Sequence, residues 1–161
     1  MWRRGLVKLP GTSTMLFSLL FACAFHVERA GMVTPDARGV WLDGYQGGRV
    51  ALVLNEASAP IKYLGGCVVE VRGTHTPAGI VVDDWVVKDA GDGSGGFVGT
   101  LQAFGARLLL EDRNTRTTLT LDDQQVPELR VYAGKPVLIV GTVVGPGEVR
   151  VMAWRLLTEG G

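Results

Sequence analysis

An internal repeat in the sequence indicates a fold built from two similar units. Residues 63–87, YLGGCVVEVRGTHTPAGIVVDDWVV, are similar to residues 132–157, YAGKPVLIVGTVVGPGEVRVMAWRLL. In each copy a tyrosine precedes a tryptophan by 22 positions, and Gly65 aligns with Gly134. Each copy has two valine-rich runs around a turn that contains glycine and proline, which predicts a β-hairpin. The alternative to a true repeat is chance similarity between valine-rich strands.

Short apolar runs continue this pattern from residue 39 onward. They are rich in Val, Leu, Thr and aromatic residues, and Gly, Pro, Asn and Asp separate them, which is typical of strands in an all-β protein. The polar stretch at 111–118 predicts a further hairpin turn, and the Gly-Pro stretch at 143–149 is the turn of the second copy. No stretch has a 3.6-residue apolar period over three turns. The predicted strands are 40–42, 49–54, 67–71, 80–87, 97–101, 106–110, 117–121, 137–144 and 149–157.

The strands before each copy correspond as well. GVWLDGYQGGRVALVLN precedes the first copy, and GGFVGTLQAFGARLLLEDR precedes the second. The order resembles the five-stranded OB-fold, in which a long bent strand 1 leads to strands 2 and 3 and then to a strand 4–5 hairpin. The resemblance covers residues 39–157 and implies an all-β chain of two small OB-like antiparallel barrels, which we expect to pack on each other. The alternative is one continuous barrel or sandwich.

The stretch DAGDGSGG, residues 89–96, lies between the two copies. It looks similar to the GDSGG box of serine proteases and to an acidic calcium loop, but Gly93 separates Asp92 from Ser94 and the acids do not alternate as calcium ligands should. Four of its eight residues are glycine and none is large and apolar. This composition predicts a flexible connector.

The N-terminus has the layout of an export signal. Arg3, Arg4 and Lys8 are the only charges before residue 26, and an apolar run of about eleven residues follows them. Such a run is too short for a bilayer core of about 30 Å. The predicted organisation is a signal helix at 1–22, a tether at 23–38, an OB-like unit at 39–88, a glycine-rich linker at 89–96 and a second OB-like unit at 97–157.

The end of that apolar run, Leu20-Phe21-Ala22-Cys23, resembles the lipobox of bacterial lipoproteins. The resemblance implies that Cys23 becomes a lipidated N-terminus and anchors the chain to a membrane. The alternative is cleavage after Ala24 and plain secretion. Translation from Met32 would remove both signals and leave the protein in the cytoplasm.

Composition and spacing argue against several chemistries. Two histidines and two cysteines are widely scattered, so no zinc site is expected. Adjacent carboxylates on a strand point to opposite faces, so the acidic doublets 83–84 and 122–123 do not form a catalytic pair. The segment from Cys23 onward is mildly acidic, which does not favour binding to nucleic acid. Cys67 is expected to be a buried, inert thiol. We expect no enzyme activity, no metal and no cofactor.

The candidate ligand contacts are Arg113 and Arg116 at a predicted hairpin tip and His75 in a predicted turn. The expected function is that of an exported, lipid-anchored, non-enzymatic protein that binds or scaffolds on the periplasmic or outer face of the cell envelope. Its partners would be the membrane, through the lipid, and an envelope protein, a glycan or a small molecule. The alternative is a cytoplasmic OB-fold module that binds single-stranded nucleic acid.

Overall fold

The structure, a computed structural model, describes residues 25–44 and 48–159. The predicted signal helix and Cys23 lie outside these residues. The described residues form ten β-strands and two 3₁₀ helices (η): β1 Phe25–Asp36, β2 Gly39–Gly44, β3 Arg49–Val53, η1 Ala59–Tyr63, β4 Val68–Thr76, β5 Gly79–Asp89, β6 Gly95–Phe104, β7 Arg107–Asp112, β8 Thr118–Asp122, η2 Pro127–Tyr132, β9 Pro136–Gly145 and β10 Glu148–Leu156.

The strands close into two separate five-stranded barrels. The first has the order β1-β2-β3-β5-β4, and the second has the equivalent order β6-β7-β8-β10-β9. In each barrel the third and fifth strands pair in parallel, and the other pairs are antiparallel. A 3₁₀ helix joins the third strand to the fourth. The prediction of an all-β chain with two small OB-like barrels is confirmed, and one continuous barrel is excluded.

The first barrel begins earlier than the sequence predicts. β1 occupies most of the segment predicted as a tether, and it pairs with both β2 and β4. The tether prediction is therefore wrong from Phe25 onward, and the run at 40–42 belongs to the second strand of the barrel rather than the first. Gly31 and Val33 are the buried residues of β1, so this strand lacks the apolar run that marks the others.

Equivalent hydrogen bonds relate the two barrels residue by residue. The N–H of Gly66 donates to the carbonyl of Val33 at 2.9 Å, and the N–H of Gly134 donates to the carbonyl of Leu101 at 2.7 Å. These two glycines have φ angles of 84° and 86°, in the left-handed region that favours glycine. The structural counterpart of Gly134 is therefore Gly66, one residue beyond the glycine that the sequence alignment gives.

Strand 1 of each barrel carries a glycine where a neighbouring backbone approaches closely. A Cβ atom at Gly99 would lie 2.0 Å from the carbonyl oxygen of Glu111, and one at Gly31 would lie 2.5 Å from that of Asp43. No side chain can be accommodated at either glycine without movement of the backbone. The close contact therefore requires glycine at the same place in both barrels.

We expect Gly99→Ala to lower the free energy of unfolding by about 3 kcal/mol, because the strand must shift to relieve the clash. Gly145→Ala is the control in the same barrel, since the nearest atom to its Cβ would be a flexible carboxylate oxygen of Glu148 at 3.4 Å. Urea unfolding measures both. Equal losses in the two variants would contradict the proposed close contact.

The two barrels share apolar side chains across their junction. Val98, Leu138 and Leu157 of the second barrel belong to the buried cluster that fills the first barrel and includes Trp85. Val98 is 3% exposed and Leu138 is 1% exposed. The barrels therefore pack against each other, as expected from the small core that each unit has by itself.

Hydrogen bonds from two arginines of the second barrel close the junction. Arg113 Nη1 donates to the carbonyl of Trp85 at 2.6 Å. Arg155 Nη1 donates to the carbonyls of Tyr63 and Gly65 at 3.0 and 3.1 Å. Each guanidinium thus satisfies carbonyl oxygens of the first barrel at the edge of the apolar contact, which fixes the orientation of one barrel on the other.

The glycine-rich linker is a short hydrogen-bonded turn. The carboxylate of Asp89 accepts the N–H groups of Gly91 and Gly93 at 2.6 and 3.0 Å, and that of Asp92 accepts the N–H of Ser94 at 2.9 Å. The backbone N–H of Ser94, followed by its hydroxyl, lowers the pKa of Asp92. β5 ends at Asp89 and β6 begins at Gly95, so the residues between them join the two barrels through this turn.

The second barrel contacts the first through an apolar surface that includes Val98 and Leu138, and the first barrel has no equivalent apolar surface among its described residues. Ala30 and Glu70 pair in the first barrel where Val98 and Leu138 pair in the second. Glu70 forms ion pairs with neighbouring basic side chains at 3.3 and 3.1 Å. The first barrel therefore has a charged surface where the second has an apolar one, and this asymmetry favours the one junction within the chain over end-to-end association of copies.

Candidate functional site

Of the recesses in the described part of the chain, two contain predicted contact residues and are large enough for a small ligand. One, the inter-barrel cleft, lies along the junction of the barrels and has a volume of about 430 Å³. The other, the end cavity, lies within the first barrel among β1, β4 and the ends of β2 and β3, and has a volume of about 540 Å³. The predicted contact residues divide between these two recesses.

Both barrels supply the walls of the inter-barrel cleft. Its apolar lining comes from Pro60 and Trp85 of the first barrel and from Val98, Pro136 and Leu157 of the second. Its polar lining comes from β6 and the β7–β8 hairpin: Thr100, Glu111, Asp112, Arg113 and Arg116. A mostly apolar cleft with a few polar groups on one side is typical of sites for small organic molecules.

The β7–β8 hairpin is held by an aspartate at its base. Asp112 is 3% exposed, and its Oδ2 accepts hydrogen bonds from the N–H and the hydroxyl of Thr115 at 2.9 and 2.6 Å. Its Oδ1 is buried and has no hydrogen-bond partner among the described residues. The carboxylate thus fixes the turn that carries Arg113 and Arg116 to the cleft.

Arg113 is a structural contact of the junction. Its guanidinium lies 4.3 Å from the centre of the Trp85 ring, and it forms an ion pair with Asp84 at 3.4 Å in addition to its hydrogen bond to the Trp85 carbonyl. The side chain is therefore fully occupied within the protein and closes one wall of the cleft.

We expect Arg113→Leu to lower the free energy of unfolding by about 2 kcal/mol, because it removes a hydrogen bond from a charged donor and a cation–π contact. Arg116→Gly serves as the control. Arg116 has a φ of 55° and is exposed, so glycine should be neutral or slightly stabilising there. Thermal and urea unfolding check both; an unaffected Arg113→Leu variant would contradict the junction as described.

The positively charged guanidinium of Arg116 is available to bind an anionic group of a ligand in the cleft. Its backbone N–H donates to the carbonyl of Asp112 at 2.9 Å, whereas its guanidinium has no ion pair within the described residues. Sequence reasoning selected Arg113 and Arg116 together, and the structure brings both to one cleft with different roles.

His75 lies in the end cavity, in the barrel that does not carry the two arginines. Its ring stacks on Phe25, with the ring centres 5.3 Å apart and the planes 13° from parallel. Arg29, Arg49 and Glu28 also line this cavity, above a floor formed by apolar core residues. The structure therefore does not unite His75 with the other two candidates.

Sequence reasoning missed an aromatic–cation pair on the outer surface of the first barrel. The Arg49 guanidinium lies 4.7 Å from the centre of the Trp41 ring, and it forms ion pairs with Asp36 and Asp43 at 3.1 and 3.6 Å. Strand alternation could have indicated this pair, because Leu42 points inward and its neighbours Trp41 and Asp43 must point outward.

One acidic doublet departs from the predicted strand alternation, because Asp83 and Asp84 are both exposed where a β-bulge interrupts β5. The other doublet lies at the end of β8, and Asp123 follows the last residue of that strand. Asp122 pairs with Arg150 at 3.3 Å, and Asp123 pairs with Arg130 at 2.7 Å, so the two neighbouring carboxylates face different partners. No group of three or more His, Cys, Asp or Glu side chains within 25–44 and 48–159 is arranged to hold a metal ion. Among the same residues, no helix is long and apolar enough to cross a membrane.

Cys67 is buried, and that burial raises the pKa of its thiol. Its Sγ lies 3.5 Å from the carbonyl oxygen of Ala90 in the linker turn. A thiol in this setting reacts slowly because little thiolate forms at neutral pH.

Comparison with known proteins adds no relative to these observations. No family model matches the chain, and no curated protein matches it at a significant level.

Proposed function

We propose that this chain is an exported, lipid-anchored, non-enzymatic binding protein of the cell envelope, and that its ligand occupies the inter-barrel cleft. The observation that carries export is the position of the first strand. β1 begins at Phe25, and the described residues close both barrels by themselves. Removal of residues 1–22 would therefore leave both barrels complete, as cleavage of a signal peptide requires.

The chemistry of the cleft favours a small amphipathic ligand with one acidic group. Pro60, Pro136 and Leu157 provide apolar contact area, and Arg116 provides a guanidinium that forms no ion pair among the residues that the structure describes. A guanidinium binds a carboxylate or a sulfonate through charge-assisted hydrogen bonds. Because both barrels form the walls, the rigid junction keeps the cleft open before the ligand arrives.

Metabolic labelling with palmitate tests the anchor. We expect the chain expressed with its own N-terminus in a bacterium to incorporate the label, Cys23→Ser to lose it and Cys67→Ser to keep it. The two cysteines thus provide a matched pair. An unlabelled chain whose mature N-terminus is Phe25 would establish plain secretion instead.

The fluorescent anion 1-anilinonaphthalene-8-sulfonate is a suitable probe of the cleft, because it combines an apolar ring system with a sulfonate. We expect Arg116→Gly to weaken its binding about tenfold, equivalent to about 1.4 kcal/mol. Arg29→Gln, in the end cavity, is the control and should leave the affinity unchanged. Equal affinities for Arg116→Gly and the unaltered protein would rule out the cleft as the anion site.

One observation favours a second candidate function, the binding of single-stranded nucleic acid. Trp41 and Arg49 lie on the outer surface of β2 and β3, the region where OB-folds hold oligonucleotides. Asp36 and Asp43 already pair with Arg49, which weakens its attraction for phosphate. Titration with oligothymidylate at low salt tests this function: binding that Trp41→Leu abolishes would support it, and absence of binding would exclude it.

A further inference from the structure

We infer that one end of the first barrel, formed by Phe25, His75 and the β4–β5 turn, lies directly against phospholipid headgroups. This inference rests on the proposed anchor at Cys23. β1 occupies most of the segment that was predicted as a tether, so very little chain separates a lipidated Cys23 from the first barrel.

The covalent chain sets the distance between the lipid and the barrel. Phe25 is the first residue of β1 and follows Cys23 by two residues. Two residues span at most about 7 Å. The headgroup layer on each side of a bilayer is about 6 Å thick. A lipidated Cys23 therefore holds the start of β1 within or directly above the headgroups.

Strand pairing determines what accompanies Phe25 to the membrane. Phe25 pairs with His75, and the next residues along β4 form the turn from Thr76 to Gly79. Pro77 and Ala78 in this turn are exposed. The turn must approach the lipid together with Phe25, because the antiparallel ladder fixes their separation.

The side chains at this end suit a boundary between apolar and polar surroundings. Phe25 is 56% exposed and stacks on the imidazole of His75, so an apolar ring and a polar ring present one surface. Arg29 follows on the same strand, is exposed, and forms no ion pair within the described residues. Its charge can attract lipid phosphate.

The opposite end of β1 provides an internal control. Arg38, in the β1–β2 turn, is exposed and lies beyond Asp36, the last residue of the strand. At about 3.3 Å per residue β1 spans at most about 36 Å, and this turn lies at the end of the strand opposite Phe25. A probe at Arg38 should therefore remain in water when a probe at Ala78 touches lipid.

The test uses the lipidated full chain in vesicles of phosphatidylethanolamine and phosphatidylglycerol that contain a lipid with a nitroxide on its headgroup. A bimane fluorophore is attached to Ala78→Cys or, in the control, to Arg38→Cys. Cys67 is buried and the thiol of Cys23 carries lipid, so the protein without an introduced cysteine gives the background. Intact mass of each sample establishes whether Cys23 is lipidated.

We expect the fluorophore at position 78 to lose most of its emission and the one at position 38 to keep it. With lipid present, an unquenched label at 78, or equal quenching at both positions, would overturn the inference and leave the anchor standing. A mature mass without lipid would overturn the anchor and the inference together. The two failures are therefore distinguishable.

Discussion

Replacement of Trp85 by alanine is expected to lower the free energy of unfolding by about 4 kcal/mol, the largest loss for a single truncation in this chain. Trp85 is 1% exposed, and its indole N–H donates to the carbonyl of Ala57 at 3.3 Å. Its ring contacts the core of the first barrel on one side and the Arg113 guanidinium on the other. Its removal leaves a cavity where the core meets the junction.

Trp154→Ala is the matched control, because Trp154 stands at the equivalent position of the second barrel. It is half-buried and packs on Tyr132, with the ring centres 4.8 Å apart, but no described residue of the other barrel is stacked on it. We expect its loss to cost about half as much, roughly 2 kcal/mol. Urea unfolding compares the variants, and equal costs at the two tryptophans would contradict a special role for Trp85 in the junction.

Leu138→Glu is expected to separate the barrels. Leu138 is 1% exposed and contributes to the core cluster of the first barrel, where a carboxylate would be buried without a partner. We expect a loss of about 4 kcal/mol. We also expect unfolding in two steps, because each barrel would then unfold on its own.

Glu70→Gln controls for a polar change at the equivalent position of the first barrel. Glu70 pairs with Arg72 and Lys88 near the surface, so its neutralisation should cost less than about 1 kcal/mol and leave unfolding in one step. Calorimetry distinguishes one transition from two. If Leu138→Glu retains a single transition at the original temperature, the apolar contact does not hold the barrels together.

The repeat predicted the architecture because the hairpins and 3₁₀ helices carry its signature residues. Tyr63 and Tyr132 end the 3₁₀ helices, and Trp85 and Trp154 occupy equivalent places in the fifth strands. The sequence alignment matches Gly134 with Gly65 instead of Gly66, because a bulge near Val144 makes the second hairpin one residue longer. A register that depends on local bulges cannot be fixed by counting residues alone.

The sequence analysis did not predict β1 as a strand, and the reason is physical. Much of its outer surface is polar or charged, and one of its two buried positions is Gly31, whose small size the crossing backbone requires. Such a strand has no apolar alternation to detect. Composition indicated that residues 89–96 connect two units, but it did not indicate the turn in which the carboxylates of Asp89 and Asp92 accept backbone N–H groups.

The candidate site was predictable in part. Hairpin position singled out Arg113 and Arg116, and both line the inter-barrel cleft. The contact of Arg113 with Trp85 could not be predicted, because the two residues are distant in sequence. His75 shares the same kind of exposed turn and lies in a different recess. Sequence indicates which residues reach the surface of a barrel, whereas the packing of one barrel on the other decides which of them meet.

Fluorine NMR of 5-fluorotryptophan-labelled protein during urea unfolding tests whether the two barrels are coupled into one body. Trp85 reports on the first barrel and Trp154 on the second. We expect the native resonances of both to disappear at the same urea concentration, in one cooperative transition. Loss of one resonance while the other persists would show that the barrels fold independently and would contradict the shared junction.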